Sequence, residues 1–324
     1  MSKTVTPPFE ARKEIKVALA VFGVVMVLVA ISALMAGDLN PPGPPTSGTM
    51  KTLDEVEPRI PISQADIPKT ISESGSYYLT EDVNSSGTAI TVDVNDVTID
   101  LMGYTIKGPD SGTNYGIYMS GRSNVEIRNG TVRDFGYHGI YEGSNISGTG
   151  HRVINVRSIS NGRGGIELSG KGHLIKDCTA AENGTAGINA RSACMVTGNT
   201  AHANGITGIM VYQGSTVTDN TASMNTVNGI QVDSECNVVD NNCFWNGYFP
   251  GDGAGIRVAG RYNRIEHNYV THNDRGIEVN NDDNLIVRNS AVNNPTDYDI
   301  VAGNKVGTIS TDPTTAGPWD NFDF

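Results

Sequence analysis

The amino-acid sequence predicts an all-β solenoid of about nine to ten coils, on the strength of three recurring marks. A Gly-Ile pair returns eight times at a nearly constant interval. Alternating apolar residues follow each pair, as in Gly229-Ile230-Gln231-Val232, and a period of two is typical of a β-strand. An internal period of this length indicates stacked coils. The eight pairs begin at Gly116, Gly139, Gly165, Gly187, Gly208, Gly229, Gly255 and Gly276.

The third mark is a pair of asparagines at a fixed separation in each unit, such as Asn220 and Asn225. Stacked coils place strands about 4.8 Å apart, so each asparagine lies above its counterpart in the next coil. We predict that Asn220 faces inward and bonds Asn199 and Asn241, whereas Asn189 faces outward. Asparagine also tolerates the unusual backbone angles of a bend, and the glycine of each pair fits a bend that a side chain would crowd.

Residues 17–36 contain no charged side chain and are long enough for a helix that spans a bilayer core. Arg12, Lys13 and Lys16 precede this run, which predicts that residues 1–16 are cytoplasmic and the repeats are outside the cytoplasm. The segment is a transmembrane signal anchor or a cleaved signal peptide, and cleavage would make the protein secreted.

The rest of the chain divides into a linker, a cap, the repeats and a tail. Residues 37–52 are rich in proline and glycine and form a spacer. We predict an N-terminal cap at 53–87, the repeats at 88–303, and a C-terminal cap at 304–324. The tail collects aromatic residues, and we expect Trp319 to be buried over the last coil.

These marks resemble the right-handed parallel β-helix superfamily, with its pectate-lyase-like and NosD-like repeats, over roughly residues 75–310. The leucine-rich pattern and the strict six-residue period of other solenoids are absent. Proteins of this superfamily often bind extended polysaccharides along the face of the first strand, so the resemblance implies such a face here. The fold alone does not assign an activity.

Outward positions of the first strands, with one longer loop, supply the candidate binding residues. On the strands, an alternative interpretation is an ordinary solvated surface, with Arg257 and Glu278 forming a surface ion pair. In the loop, exposed aromatic residues are how sugar rings are commonly held, and we expect Trp245 to lie beside the first-strand face. The strand candidates are Glu167, Arg191, Tyr212, Asp233, Arg257 and Glu278, and the loop candidates are Trp245, Tyr248 and Asp252.

The four cysteines are predicted to be free and buried, because Cys194 and Cys236 lie two coils apart, beyond the reach of a disulfide. Cys243 occupies a core position. No C-x-x-C spacing occurs, and no histidine pairs with a carboxylate at a telling spacing. We therefore predict neither a metal site nor a cofactor.

Composition and missing motifs leave three functions open. The net charge of −12 lacks the basic surplus of nucleic-acid-binding proteins. The motifs of polygalacturonases and the Asp-Pro-His of alginate epimerases are absent, so catalysis is undecided. The first hypothesis is a membrane-tethered protein that binds polysaccharide or another surface partner. The second is a carbohydrate lyase, glycoside hydrolase or epimerase with an unrecognised site, and the third is a NosD-like accessory protein.

Overall fold

The computed structural model describes residues 59–143, 147–247 and 253–323. Strands dominate, and the one helix of these residues is a short 3-10 turn at Gln64–Asp66. In chain order the strands are β1 Ile60–Ile62, β2 Lys69–Ile71, β3 Gly75–Leu79, β4 Val83–Asn84, β5 Ile90–Val92, β6 Val97–Asp100, β7 Thr105–Lys107, β8 Ile117–Met119, β9 Val125–Arg133, β10 Ile140–Tyr141, β11 Arg152–Ile159, β12 Ile166–Lys171, β13 Leu174–Lys176, β14 Thr179–Ala181, β15 Ile188–Ser192, β16 Met195–Thr197, β17 Thr200–His202, β18 Thr207–Val211, β19 Thr216–Thr218, β20 Thr221–Ser223, β21 Asn228–Val232, β22 Asn237–Val239, β23 Asn242–Phe244, β24 Ala254–Val258, β25 Arg264–Glu266, β26 Tyr269–Thr271, β27 Arg275–Val279, β28 Leu285–Val287, β29 Ser290–Val292, β30 Thr296–Ile300, β31 Lys305–Val306, β32 Ile309–Ser310 and β33 Asn321–Asp323.

The strands form two sheets that wrap around one core, which gives a parallel β-helix with three faces. The first strand of each coil belongs to an eleven-stranded sheet, whose order is β2-β5-β8-β10-β12-β15-β18-β21-β24-β27-β30. The second and third strands belong to a sheet of 22 strands, in which the long β9 and β11 run across both faces. Each strand pairs in parallel with its counterpart one coil away, as β18 does with β21.

The core is a set of apolar columns in register along the helix axis. The isoleucines of the Gly-Ile pairs form one column: Ile188 pairs with Ile209, and Ile209 with Ile230. These side chains are fully buried. Each coil therefore contributes a thin slice of core, which explains why a chain with modest apolar content can bury one continuous interior.

The asparagine prediction is confirmed. Asn220 is 1% exposed, its Oδ1 accepts from the backbone N–H and the Nδ2 of Asn199, and its Nδ2 donates to Asn241 Oδ1 at 3.0 Å. Asn225 makes the same contacts with Asn204 and Asn246. Two asparagine ladders therefore run along two corners of the helix.

The bends differ in one detail from the sequence prediction. The left-handed conformation belongs to the residue before the ladder asparagine, such as Asp219 at φ 58°, and not to the asparagine itself. The glycine of each Gly-Ile pair is needed for close approach: a Cβ on Gly208 would lie 2.6 Å from both Gly229 O and Asn225 Nδ2. The position requires glycine because a side chain would be crowded, and not because the backbone has a positive φ.

At the front, residues 60–84 were predicted as part of a cap but contain strands β1 to β4. Strand β2 pairs with β5 and β3 pairs with β6, so these residues build a coil of their own. The eleven-stranded sheet therefore has more strands than the nine to ten coils predicted. The sequence conceals this coil because it lacks the Gly-Ile pair.

The predicted transmembrane segment at 17–36 lies outside the described residues, and none of the described residues forms a helix long and apolar enough to cross a membrane.

At the back, the tail packs on the last coil, but through a different residue than predicted. Strand β33 pairs with β29, and Asn321 is fully buried. Asn321 Oδ1 accepts from the backbone N–H and the Nδ2 of Asn289, so it extends the ladder by one place. The expectation that Trp319 is buried is wrong: it is 53% exposed, with the Arg288 guanidinium 4.1 Å from its ring centroid.

All four cysteines are free and buried, as predicted. Burial raises the pKa of the Cys194 and Cys236 thiols to about 11 and that of Cys178 to about 12. Cys243 is fully buried, and its pKa is also raised. Thiols held in the protonated form are poor nucleophiles and metal ligands, so their role is packing.

Candidate functional site

The outer face of the eleven-stranded sheet carries a continuous row of side chains in register from one coil to the next. Because successive strands lie about 4.8 Å apart, neighbouring members of this row touch. From front to back the row reads Thr70, Thr91, Tyr118, Tyr141, Glu167, Asn189, Met210, Gln231, Arg257, Glu278 and Asp299.

Five rings meet at the front of this row, and we call Tyr115, Tyr118, Tyr137, His138 and Tyr141 the aromatic cluster. Tyr141 lies at its centre, stacked on His138 at 4.5 Å and on Tyr115 at 5.0 Å between ring centroids. Tyr118 lies 5.1 Å from Tyr115, and Tyr137 meets His138 edge to face at 4.6 Å. The four tyrosines are only partly buried, so their rings form a surface.

His138 is buried beneath the tyrosines, and its neighbours determine which ring nitrogen carries the proton. The ring Nδ1 accepts the Gly164 backbone N–H at 3.1 Å, which assigns the proton of the neutral ring to Nε2. A Cβ on Gly164 would lie 2.7 Å from this nitrogen, so only glycine fits opposite it. Glu167 Oε2 lies 3.4 Å from the same Nδ1.

Burial and charge shift the acid–base groups of this region. Burial, aided by the Arg163 charge, lowers the pKa of His138 to about 4. Burial raises the pKa of Glu167, although Arg163 and Arg191 oppose the shift. The pKa of Tyr141 is raised, chiefly by burial and then by Glu167. The site therefore favours a neutral imidazole, and the carboxyl next to it is pushed toward its neutral form.

Two arginines on this face lie against tyrosine rings, and their guanidinium groups can donate hydrogen bonds to a ligand. The Arg163 guanidinium lies 4.5 Å from the Tyr137 ring centroid, and that of Arg191 lies 5.0 Å from the Tyr212 ring centroid. Such cation–π contacts hold the guanidinium planes against the rings. The combination of ring faces with charged donors suits a ligand that is itself a flat or ring-shaped polar molecule.

The six strand candidates from the sequence all lie along this face, but they do not form one site. Glu167 pairs with Tyr141 of the aromatic cluster, and Arg191 and Tyr212 lie one and two coils further on. Asp233 follows Tyr212 one coil later. Arg257 and Glu278 lie near the back, where their closest atoms, Nε and Oε2, are 3.6 Å apart. Arg257 and Glu278 therefore form an ion pair, but Glu278 is buried, so the pair is not part of an ordinary solvated surface.

The loop candidates do not join the face in the described residues. Trp245 follows β23 at a bend, 49% exposed, with its ring centroid 6.4 Å from that of His272. Tyr248 and Asp252 lie outside the described residues. The structure thus gives no contact between the described part of this loop and the aromatic cluster.

A second group of polar side chains lies inside the helix, beneath the cluster. Glu142, His151 and His173 are buried, and one ligand atom from each lies within 4.8 Å of the others. No telling spacing in the sequence marks this group, yet the fold brings two histidines to one carboxylate: Glu142 Oε2 is 3.3 Å from His173 Nε2, and Oε1 is 3.6 Å from His151 Nε2.

These three residues do not fit a metal ion. His151 Nδ1 accepts the Val125 backbone N–H at 3.2 Å, and His173 Nδ1 accepts that of His151 at 3.1 Å. A neutral imidazole that accepts at Nδ1 carries its proton on Nε2, the nitrogen that faces Glu142. A metal would need that nitrogen unprotonated. Burial raises the pKa of Glu142, but the two nearby histidines and the hydrogen bond from the Gly170 backbone N–H outweigh it, and the pKa is about 2.

Sequence reasoning placed Tyr118 and Tyr141 on the outward face but missed the rest of both groups. Apart from Glu142, the missed residues lie outside the aligned repeat positions. Tyr115 and His138 each precede the glycine of a Gly-Ile pair, and Tyr137 and Arg163 lie one place earlier in successive coils. Extending the alignment slightly toward the N-terminus would have shown these side chains stacking. Glu142 and His173 are far apart in the chain and separated by the longer coil, so no fixed spacing marks them.

Comparisons with known proteins agree with the architecture. The family model described as "Right handed beta helix region" matches residues 115–261. This match agrees with the parallel β-helix that the strands form. No curated protein sequence matches it.

Solved structures of low identity share the fold. The A-module of the mannuronan C-5 epimerase AlgE6 of Azotobacter vinelandii is 14% identical, with a TM-score of 0.52 over 82% of this chain and 87% of that one. The A-module of the mannuronan C-5 epimerase AlgE4 from the same organism is 14% identical, with a TM-score of 0.50 over 72% of this chain and 71% of that one. At this identity the likeness extends to the fold alone.

Proposed function

We propose that the aromatic cluster and the side chains next to it bind an extended polysaccharide. The observation that carries this proposal is the stack of partly exposed rings, Tyr115 on Tyr141, set on a flat sheet face. Sugar rings present apolar C–H faces that pack on aromatic rings, while their hydroxyls need the polar groups that Glu167 and Arg191 provide. The row of side chains continues along the face, which suits a chain-like ligand better than a compact one.

A glycan array with the full-length protein tests this function. Tyr118→Ala and Tyr141→Ala should each weaken binding by about two- to tenfold, the value of one aromatic contact. Tyr262→Ala is the matched control, because Tyr262 is 63% exposed at a corner away from the cluster. Binding that survives both cluster variants, or that falls equally in the control, would contradict the proposed site.

A carbohydrate-active enzyme is the second candidate, favoured by the contact of His138 with Glu167. Burial raises the pKa of the Glu167 carboxyl, which favours the protonated form that general acid catalysis requires. Incubation with a bound glycan should then release shorter products or change the sugar stereochemistry. Glu167→Gln should abolish turnover while binding persists. Unchanged glycan after prolonged incubation would reject the catalytic candidate and leave the binding function intact.

We also propose that residues 17–36 tether the β-helix to a membrane, with the repeats outside the cytoplasm. The uncharged run and the positive residues before it support this topology. Full-length protein should fractionate with membranes, and protease added to intact cells should reach the repeats. Recovery of the protein in the soluble cytoplasmic fraction would contradict the proposal.

A further inference from the structure

Glu142 is a carboxylate in a column that is otherwise apolar. It points into the core from the eleven-stranded sheet, between Met119 of the previous coil and Leu168 of the next. The column continues through Ala190, Val211, Val232, Val258 and Val279, all buried. A charge in such a place is costly unless donors surround it, so its presence calls for a function that an apolar residue would not serve.

The histidines that hold Glu142 belong to a ladder at the neighbouring corner. In this ladder a backbone N–H of one coil donates to a side-chain acceptor of the next. Ser215 accepts from Cys194, and Asn263 accepts from Cys236. His151 and His173 occupy the same places and accept through Nδ1. Histidine thus keeps the ladder intact and, unlike serine or asparagine, adds an Nε2–H that reaches the core.

One hydrogen bond, from the Gly170 backbone N–H, and two imidazole contacts converge on the Glu142 carboxylate. His173 Nε2 and the Gly170 backbone N–H lie 3.3 and 2.9 Å from Glu142 Oε2, and His151 Nε2 faces Oε1. The carboxylate also packs against Gly148 and Gly170, where an added Cβ would collide with it. The fit is specific to this coil, because the glycines that admit the carboxylate lie in the longer coil and its neighbour.

The place of Glu142 in the chain indicates what this group does. Strand β10 contains only Ile140 and Tyr141, whereas the next strand of the sheet, β12, contains six residues. Tyr141, the central ring of the aromatic cluster, is therefore the last residue of a very short strand. Glu142 is the next residue, and its hydrogen bond from Gly170 and its contacts with His151 and His173 supply the anchorage that a longer strand would give.

We propose that Glu142, held by His151 and His173, is a positioning residue that fixes Tyr141 within the aromatic cluster. The part of this inference that concerns binding rests on the proposed polysaccharide function. The part that concerns ring order stands independently of any ligand.

Two measurements on full-length Glu142→Gln test the proposal. Gln keeps the shape but turns an amide N–H toward donors, so Tyr141 should lose its fixed orientation. The near-ultraviolet circular dichroism of the tyrosines should fall while the far-ultraviolet spectrum is retained. Glycan affinity should fall by about two- to tenfold, as for loss of one ring contact. A native tyrosine signal in this variant would overturn the proposal.

His173→Asn separates positioning from mere stability. Asparagine keeps the ladder acceptor, as Asn263 does, but removes the donor to Glu142, so the tyrosine signal should fall although the ladder persists. Glu266→Gln is the matched control: Glu266 is a buried carboxylate held by Arg264 and Arg288 on another face. It should leave the tyrosine signal and the affinity unchanged. An equal loss of the tyrosine signal in Glu266→Gln would overturn the proposal.

Zinc ions test the assigned tautomers. Added Zn²⁺ should leave the melting temperature and the tyrosine signal of the wild-type protein unchanged. A stabilisation by Zn²⁺ that disappears in His173→Asn would overturn the assignment and identify a metal site. If the wild-type protein binds no glycan but Glu142→Gln still loses the tyrosine signal, the proposed function fails while the positioning role stands.

Discussion

The coils that begin at Gly187 and Gly208 are regular, whereas those that begin at Gly116 and Gly139 are not. The regular coils are equal in length and fill their inner column with Ala190 and Val211. The irregular coils are longer and unequal, and they carry the aromatic cluster outside and Glu142 inside. In this molecule the regular region is a scaffold, and the departures from the repeat mark where a specific chemistry is built.

Each departure is matched by a change nearby, which argues against random drift of the repeat. Gly164 makes room for the His138 ring, and Gly148 and Gly170 make room for the Glu142 carboxylate. Local conflicts that are compensated in this way are typical of functional sites. The comparison therefore predicts that the two regions respond differently to substitution and to pH.

The largest effect is expected in the regular region. Asn220→Leu would leave the Asn199 N–H without its acceptor in the core and would remove the bonds from Asn220 Nδ2 to Asn241 Oδ1 and the Val196 carbonyl. The stranded N–H costs about 1–3 kcal/mol and each lost bond about 1 kcal/mol, so the free energy of unfolding should fall by about 3–5 kcal/mol in thermal or denaturant unfolding. Asn189→Leu, on the outer face, should change it by under about 0.5 kcal/mol. Equal losses would show that the two faces have been confused.

The irregular region should respond to pH. The pKa of His138 is about 4 in the folded protein and near 6.5 when unfolded, so the unfolded state binds the extra proton between these values. The stabilisation is complete above pH 6.5 and is lost as pH falls to 4, by up to about 3 kcal/mol. His138→Phe should remove this part of the pH dependence of unfolding. A variant with the wild-type pH profile would contradict the assignment of a neutral, buried imidazole.

Substitutions at the C-terminal end should change the free energy of unfolding by an intermediate amount. Asn321→Ala removes the last member of the ladder and strands the Asn289 amide, so it should cost about 1–3 kcal/mol. Deleting residues 306–324 removes the whole cap and should produce protein that associates through its exposed end. A deletion variant that stays monomeric and melts at the parent temperature would show that the tail is not a cap.

The smallest effect is expected at Trp319, the residue that the sequence singled out. Its ring is half exposed and stacks with Arg288, a contact worth about 0.5–1 kcal/mol at an exposed site. Trp319→Ala should therefore destabilise less than Asn321→Ala in parallel unfolding measurements. The opposite order would restore the tryptophan as the main contact of the cap.

The sequence predicted the contacts between repeated positions and missed the contacts that occur only once. The isoleucine column and the ladder around Asn220 follow from period alone, because stacking brings equivalent positions together. Asn321 was missed because it joins the ladder well beyond the usual interval after Asn289, across strands that do not repeat. Glu142 and His173 were missed because their contact depends on the path of the longer coil, which no spacing records.

The two adjacent coils of equal length have a consequence for the growth of such a chain. In each of them the Asn–Asn bonds, the Ile contacts and the glycine at the bend are made only with the coils on either side. A duplicated unit at Gly208 would therefore find every partner already in place, and its loss would let its neighbours join directly. Gain or loss of such a repeat would thus change the length of the exposed face by one strand spacing and leave the aromatic cluster at its front unchanged.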